Sequence, residues 1–366
     1  MRKRLSAPII VDLNITNRCN LQCGFCYANA KGSVEEELSY ERIQSLFDEF
    51  QKMNVHIVRI SGGEPFCHKE IRRVINLLNK YQFSPCINTN GTMLSVQEAN
   101  LLAESKINHI AISLDSSNPI IHEQLRGIQG CFDRTCKAIE LLLERCPEKI
   151  YITYTVTSLN CSKKEIIKMI QWCKSKKIRH LSFQITAPVG RCMERRDLIM
   201  SQKQWESLFC LLTKIKKRNN NLPEISIHPT NESPVFYQYF YPLKKCGMLD
   251  LLDSVWEQKL EEKTEFISCV GGNISVAINA KGDVYPCELM FGNQKCIVGN
   301  IKDSTFLEIW QNSLFFDKIY NKKKDDLEGK CSKCENAFCG GGCRAIALSE
   351  TGNIWGSEKE CPYVSK

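Results

Sequence analysis

Three cysteines near the start of the chain are spaced so that their side chains could hold one metal centre. Cys19, Cys23 and Cys26 form a CxxxCxxC array in the segment RCNLQCGFCYAN, residues 18–29. Three thiolates can bind three irons of a [4Fe–4S] cluster and leave the fourth iron open to another ligand. A structural zinc site takes four ligands, and this segment contains no fourth Cys or His. The array therefore favours an iron–sulfur cluster with one open iron.

The composition agrees with metal binding in a reducing compartment. The chain has 21 cysteines in 366 residues, and in a cytosolic protein such an excess indicates metal sites rather than disulfides. No apolar run approaches the ~18 residues needed to cross a bilayer, and the basic start is followed by a short apolar stretch broken by Asp12. We therefore expect a soluble, cytoplasmic protein without membrane association. The net charge of +8 is spread along the chain, which favours solvated helix faces over a nucleic-acid site.

The elements that position the array are six β-rich segments alternating with amphipathic helical patterns. The predicted strands are 8–15, 56–60, 84–88, 109–115, 151–157 and 180–186. Capping boxes predict helix starts at Ser95, Ser162 and Ser201. This alternation indicates βαβ units and a parallel sheet. Six units are too few for a closed eight-stranded barrel, so we predict an α/β fold with a partial, TIM-like (β/α)6 barrel. A doubly wound sheet is the alternative.

The regular alternation of strand and helix patterns ends after about residue 223. Short strands are predicted in 224–230 and in NISVAINAKGDVYPC, where a turn at 279–282 joins two of them. Residues 329–343 are dominated by Gly and Cys, and a segment with so little apolar material needs metal to fold. We therefore predict two domains, a core over residues 1–222 and an extension over 223–366.

Polar and Gly-rich segments follow the six predicted strands in turn. In parallel α/β folds, functional residues collect on the loops after the carboxyl ends of strands. The cysteine array follows the first strand, and the later segments are SGGEP (61–65), NTNG (88–91), SLD (113–115), Thr157 with Ser158, and APVGR (187–191). All of them are therefore predicted to lie on one rim.

The array CNLQCGFC resembles the CxxxCxΦC signature of the radical S-adenosylmethionine (SAM) enzymes, with Phe25 at the aromatic position. The resemblance implies that the open iron binds the amino and carboxylate groups of SAM, and that a 5′-deoxyadenosyl radical then abstracts hydrogen from a substrate. It also implies further SAM contacts. Gly62, Gly63, Glu64 and Pro65 are similar to the methionine-binding GGEP motif, in which Glu64 would anchor the ammonium group. Asn90 and Ser113 match positions facing the ribose or methionine part, and Arg126 resembles an arginine aimed at the SAM carboxylate.

The cysteines near the C-terminus resemble the SPASM extension of this superfamily. The resemblance implies two auxiliary [4Fe–4S] clusters, with the outer cluster held by Cys331, Cys334, Cys339 and Cys361 and the inner cluster held by Cys269, Cys287 and Cys343. Four residues separate Cys334 from Cys339, where the usual pattern has five. A zinc ribbon is the alternative, because two closely spaced cysteine pairs can bind zinc.

Two further residues are assigned from a resemblance to sulfatase maturases. Cys246, in KKCGML, matches a Cys-Gly-Met context upstream of their inner-cluster cysteines, which implies that Cys246 is the fourth inner ligand; Cys296 is a weaker substitute. Glu288 directly follows Cys287, the position of their proposed catalytic acid. A carboxylate there could accept a substrate proton.

These resemblances imply an oxidoreductase that modifies a side chain of a peptide or protein. A reductant such as flavodoxin or ferredoxin would supply electrons. No leader-binding domain fits before Cys19, so leader recognition would need a separate protein. The alternatives are a radical SAM enzyme acting on a small molecule, such as a haem-precursor side chain or a sugar, and a non-catalytic iron–sulfur or zinc scaffold. An intact GGEP segment argues against the scaffold, because a binding protein has no need of a SAM pocket.

Overall fold

The computed structural model describes residues 2–30, 37–218, 223–228, 236–258, 265–336, 339–359 and 361–363. These residues contain one ten-stranded sheet with the order β10-β9-β8-β1-β2-β3-β4-β5-β6-β7. The strands are β1 Ile10–Thr16, β2 Ile57–Gly62, β3 Ser84–Thr89, β4 His109–Ser113, β5 Ile150–Val156, β6 His180–Ile185, β7 Glu224–His228, β8 Ser275–Ile278, β9 Asp283–Tyr285 and β10 Gly299–Asn300.

Strands β1 to β7 run parallel in sequence order, and β8 pairs in parallel with the free edge of β1. Among the described residues β7 pairs only with β6, so the barrel stays open. The predicted α/β fold, an open barrel followed by a C-terminal extension, is confirmed, and the doubly wound alternative is not. Strands β7 and β8 pair with the two edges of the sheet that the six predicted strands form, β7 with β6 and β8 with β1. The division at residue 222 stays a prediction, because residues 219–222 and 229–235 lie outside the described ones.

Twelve helices accompany these strands in the described part of the chain. They are α1 Tyr40–Lys52, α2 Ile71–Leu78, α3 Val96–Glu104, α4 Pro119–Arg126, α5 Cys131–Leu143, α6 Lys163–Ser175, α7 Gln202–Lys217, α8 Phe236–Lys245, α9 Leu251–Trp256, α10 Phe306–Asn312, α11 Leu314–Asn321 and α12 Arg344–Thr351. None of them is both long enough and apolar enough to span a bilayer.

The two faces of the barrel strands differ in polarity. Leu13, Ile60 and Ile112 are fully buried in one large core with the apolar faces of the helices. Between them, with the alternation that a strand imposes, polar side chains such as Asp12 and Asn14 point to the other face and line the barrel interior. The strands therefore use one face for stability and leave the other for a polar site.

The predicted helix starts are found, with one difference in detail. Ser95 and Ser201 form complete capping boxes with residues three positions later. Ser162 accepts a hydrogen bond from the backbone N–H of Glu165. The Glu165 carboxylate accepts a hydrogen bond from Ser116 Oγ at 3.0 Å. It therefore ties the helix to the loop after β4.

The extension forms a second, smaller core that contains many of its cysteines. The predicted turn at 279–282 joins β8 to β9, with the Gly282 N–H donating to the Asn279 carbonyl at 3.0 Å. The N-terminal segment fastens the extension to the barrel. Arg4 Nε lies 2.6 Å from Asp317 Oδ1, and Trp310 Nε1 donates to the Leu5 carbonyl at 3.0 Å.

Candidate active site

The three cysteines of the array lie on the loop after β1, and each sulfur accepts an N–H hydrogen bond. Cys19 Sγ accepts from the Leu21 N–H at 3.4 Å, Cys26 Sγ from the Ala30 N–H at 3.5 Å, and Cys23 Sγ from Arg126 Nη1 at 3.7 Å. Hydrogen bonds of this kind stabilise negative charge on cluster-bound thiolates. The donors around the array therefore fit a cluster.

The protonation of these thiols depends on a metal. Burial raises the pKa of Cys19 to about 12, and the neighbouring thiols of Cys23 and Cys26 contribute in the same direction. Burial also raises the pKa of Cys23. Coordination deprotonates a thiol outright. Among the described residues, no three His, Cys, Asp or Glu side chains converge on a single ion. A four-iron cube needs a wider spacing, because each thiolate binds a different iron.

The loop is packed so tightly against its neighbours that two glycines are required. A Cβ on Gly63 would collide with the Arg18 carbonyl, and a Cβ on Gly190 would collide with the carbonyls of Cys26 and Tyr27. Gly190 also has a φ of +56°, which disfavours other residues. The sequence suggested that the GGEP glycines let the backbone approach a ligand closely. In the structure, the absence of a side chain at Gly63 lets the cysteine loop pack against it.

Glu64 is buried at the end of β2 and links that strand to β3. Its Oε1 accepts hydrogen bonds from Thr89 Oγ1 at 2.7 Å and the Phe66 N–H at 3.2 Å, and its Oε2 accepts from the Asn90 N–H at 2.7 Å. A carboxylate has about four acceptor positions, so one remains for an ammonium group. The SAM contact of Glu64 stays a prediction. Pro65 begins the short 3₁₀ turn that Glu64 caps.

The other predicted SAM contacts lie on the same rim. Asn90 Nδ2 donates to Asn20 Oδ1 at 3.0 Å, which ties the loop after β3 to the cysteine loop. Ser113 is the half-buried last residue of β4. The Arg126 guanidinium lies 5.1 Å from the centre of the Phe25 ring. The structure thus brings Asn90 and Arg126 to the cysteine loop and Ser113 to the end of β4, while their roles toward SAM stay predictions.

The sequence did not single out two residues that hold this site together. Asp115 is fully buried and forms two hydrogen bonds with Arg126. Arg191 donates from its backbone N–H to the Cys26 carbonyl at 2.9 Å and from Nη1 to the Cys23 carbonyl at 2.8 Å. The only signal was their position, in SLD after strand four and in APVGR after strand six.

Within each of the two predicted sets, cysteines of the extension affect one another's pKa, while their assignment to clusters stays a prediction. Burial raises the pKa of Cys287 well above its ordinary value, and the thiols of Cys343 and Cys269 raise it further. In the outer set, burial raises the pKa of Cys339 to about 11, with Cys331 among the contributing neighbours.

The remaining cysteines of the outer set affect the pKa of Tyr363. Burial raises the pKa of Tyr363, and Cys361, Cys334 and Cys339 are among the neighbours that raise it further. Residues 337 and 338, within the shortened spacing between Cys334 and Cys339, lie outside the described ones.

Cys246 is placed differently from the prediction. Its sulfur is bonded to that of Cys210 on α7, in a disulfide that links the segment after α8 to the barrel. In this state Cys246 has no free thiolate, so it cannot bind the inner cluster unless the disulfide is reduced. Its role as the fourth ligand stays a prediction. Cys296 is buried in the extension core.

Glu288 lies at the meeting point of extension and barrel. Burial raises the pKa of Tyr27 well above its ordinary value, and the next largest cause is the nearby Glu288 carboxylate. Tyr27 directly follows Cys26, and its hydroxyl lies 3.5 Å from Ser61 Oγ on β2. Phe291 contacts the Tyr27 ring at a centroid distance of 6.4 Å. The contact of Phe291 with Tyr27 thus joins the segment that carries Glu288 to the first cysteine loop, and the catalytic role of Glu288 stays a prediction.

Fold and site together define a class of iron–sulfur enzymes built on an open (β/α) barrel. The family model of the radical SAM superfamily matches residues 13–173, and that of SPASM, an iron–sulfur cluster-binding domain, matches residues 269–335. The chain therefore contains a radical SAM domain followed by a SPASM domain. Both predicted resemblances are thereby confirmed, as are the predicted cofactors, [4Fe–4S] clusters and SAM.

Relatives and solved structures match nearly the whole chain. The AdoMet-dependent heme synthase of Methanosarcina barkeri is 27% identical over 359 residues, which are 98% of this chain and 97% of that protein. The mycofactocin maturase MftC of Mycolicibacterium smegmatis is 26% identical over 360 residues, 98% of this chain and 83% of that protein. The crystal structure of Streptococcus suis SuiB bound to precursor peptide SuiA has a TM-score of 0.76 at 20% identity and covers 98% of this chain and 77% of SuiB.

Proposed function

We propose that this chain is a radical SAM/SPASM oxidoreductase that abstracts hydrogen from a peptide or protein side chain and oxidises it. The observation that carries the proposal is the contact between the rings of Phe291 and Tyr27, because Phe291 follows Glu288 by three residues and Tyr27 directly follows Cys26. In this proposal the Glu288 carboxylate, which belongs to the extension, lies between the barrel site and the auxiliary sites. The peptide class is supported by the likeness to the maturase MftC.

The residues of the barrel have distinct tasks in this proposal. Cys19, Cys23 and Cys26 would hold the first cluster, which with SAM supplies a 5′-deoxyadenosyl radical when bound. Arg126 and the backbone around the loop stabilise the charge on these thiolates. Asn90 and Glu64 orient the rim on which SAM would lie.

The extension and the barrel interior complete the site. The polar interior, with Asn14 and Ser61 on neighbouring strands, would receive the substrate side chain and shield it from bulk water. Glu288 would accept the proton that the substrate loses as it is oxidised. Cys269, Cys287 and Cys343 would hold the inner auxiliary cluster, and the four outer cysteines would hold the second.

A second candidate is oxidation of a propionate side chain on a haem precursor. The likeness to the heme synthase of Methanosarcina barkeri favours it, because the two proteins align over almost the full length of both. The polar barrel interior would accommodate a carboxylate beside Arg59, whose Nη1 lies 3.3 Å from Asp12 Oδ1.

The two candidates can be separated in one assay. Anaerobically reconstituted protein is given SAM and a reductant together with either iron-coproporphyrin III or Cys-, Ser- or aromatic-rich peptides encoded beside its gene. The proposal expects 5′-deoxyadenosine to rise with a peptide, and that peptide to lose two hydrogens by mass spectrometry. Release driven only by the porphyrin, with loss of carbon dioxide, would establish the second candidate instead.

Glu288→Gln is the matched variant for this assay. It retains the size and hydrogen-bonding capacity of the side chain but cannot accept a proton. We expect it to release 5′-deoxyadenosine and to form little product. Full product formation by Glu288→Gln would remove Glu288 from the proposed role.

A further inference from the structure

A groove of about 980 Å³ lies beside the outer set of cysteines. Its lining includes Lys244, Lys330, Lys333, Glu335 and Cys334, and we refer to it as the lysine groove. Its lysines come from two segments that are far apart in the sequence. Lys244 stands near the end of α8, whereas Lys330 and Lys333 belong to the 3₁₀ turn Gly329–Lys333.

The composition of the lysine groove is that of a protein-binding surface. Phe240 and Tyr363 contribute aromatic surface to its lining, and Lys244 Nζ lies 5.5 Å from the centre of the Phe240 ring. The three lysines are exposed, and Glu335 is the one acidic residue among the described residues that line the groove. Aromatic residues are enriched in interfaces between proteins, and the rims of such interfaces are polar and accessible to solvent.

The lysine groove is also the outer wall of the predicted outer cluster site. Cys331 and Cys361 are buried, but Cys334 is half-buried and lines the groove. Tyr363 lines the groove together with Cys334. A protein seated here would therefore touch the shell of that site directly.

We propose that the lysine groove docks an acidic electron-transfer protein of the flavodoxin or ferredoxin class. The proposal rests on the proposed function, because it assumes that the outer cysteines hold a redox cluster. Lysines around such a site steer an acidic partner and orient it. Electron-transfer encounters are small and transient, so a groove of this size is sufficient. A single-stranded nucleic acid is the other polyanion that these lysines attract, and its binding is an alternative outcome of the test.

The test compares two charge-reversed variants of the reconstituted protein. Lys244→Glu with Lys333→Glu changes the groove, and Lys80→Glu with Lys137→Glu changes exposed lysines of the barrel, one in the turn after α2 and one on α5. Both pairs alter the net charge equally. Purified flavodoxin is titrated onto each protein by calorimetry at low and at high salt, without SAM or substrate. The groove variant should bind flavodoxin at least about tenfold more weakly at low salt, and the control should match the parent protein.

Equal weakening in both variants, or in neither, would overturn the proposal. So would retained flavodoxin binding by a groove variant that has lost binding to a single-stranded DNA oligonucleotide. Because Lys333 adjoins Cys334, iron content is measured for every variant, and Lys244→Glu alone must show part of the effect with unchanged iron. Since no SAM chemistry enters the readout, flavodoxin binding could be lost in the groove variant even if neither peptide nor porphyrin is oxidised. The failure of one proposal is thus distinguishable from the failure of the other.

Discussion

Arg126 is held by Asp115 through two hydrogen bonds, from Nε to Oδ2 at 2.6 Å and from Nη2 to Oδ1 at 2.9 Å. Both side chains are buried. The remaining terminal nitrogen, Nη1, lies 3.7 Å from Cys23 Sγ. Asp115 therefore fixes the arginine whose free end reaches the first cysteine array, and it connects the end of β4 with the loop after β1.

Removing the carboxylate of this pair should destabilise the protein strongly. Asp115→Ala leaves a buried guanidinium without its partner, which should lower the free energy of unfolding by about 3–5 kcal/mol. Urea unfolding under anaerobic conditions measures the loss. The control is Glu140→Ala, which breaks an exposed pair with Lys176 and should cost at most about 1 kcal/mol. Similar losses in both variants would show that the Asp115 pair is no more important than a surface pair.

The iron content should report three clusters. Reconstituted protein should bind about twelve irons per chain, and replacing Cys19, Cys23 and Cys26 together with Ala should leave about eight. That triple variant should also release no 5′-deoxyadenosine. The control triple replaces three half-buried cysteines outside the predicted sets, Cys67, Cys136 and Cys161, and should keep all twelve. A full zinc complement without iron absorption would contradict the assignment.

Glu64 should affect SAM rather than the cluster. Glu64→Gln removes a negative charge and turns an amide group toward the donors that now bond the carboxylate, so SAM affinity should fall about tenfold. Equilibrium dialysis with labelled SAM measures the affinity, and iron analysis should show no change. Thr89→Val, which removes only the hydroxyl that donates to Glu64, should have the smaller effect. Loss of iron in Glu64→Gln would instead indicate a structural role at the cysteine loop.

Cys246 and Cys210 provide a matched pair of variants for the inner auxiliary site. If Cys246 binds the inner cluster in reduced protein, Cys246→Ala should change the electron paramagnetic resonance spectrum of that cluster and uncouple SAM cleavage from product formation. Cys210→Ala removes the disulfide seen in the structure and should leave the cluster signal intact. Identical, unchanged spectra in both variants would exclude Cys246 as a ligand.

His122 should make the stability depend on pH. Burial lowers its pKa to about 4, and its Nδ1 accepts the Asp115 N–H at 3.2 Å, so the folded protein holds it neutral. The unfolded chain binds this proton more readily, with a pKa of about 6.5. The contribution of His122 is therefore complete above that value and is lost as the pH falls, by about 2 kcal/mol between pH 7 and 5.

The measurement is urea unfolding of His122→Asn at both pH values. The asparagine can accept the same hydrogen bond but does not titrate, so the variant should lose that part of the pH dependence. Exposed His56→Asn is the control and should behave as the parent protein. A pH dependence unchanged in His122→Asn would assign the effect to other groups.

The sequence by itself was sufficient for the features that depend on neighbouring residues. The spacing of Cys19, Cys23 and Cys26 defined the first site, and the period of apolar residues located the six strands. The caps at Ser95 and Ser201 were also readable, because their partners lie three positions away. Such signals are local, since hydrogen bonding and side-chain direction within an element repeat with a fixed period.

Only the tertiary structure decided the contacts between distant segments. The pair of Asp115 and Arg126, the ring contact of Tyr27 with Phe291, and the disulfide of Cys210 and Cys246 all join residues that no local period relates. The pairing of β7 with β6 and of β8 with β1 is of the same kind, because strands in a sheet choose partners through backbone hydrogen bonds that any sequence can form. The packing of the whole core determines which distant segments come into contact, and the sequence of any one segment does not contain that information.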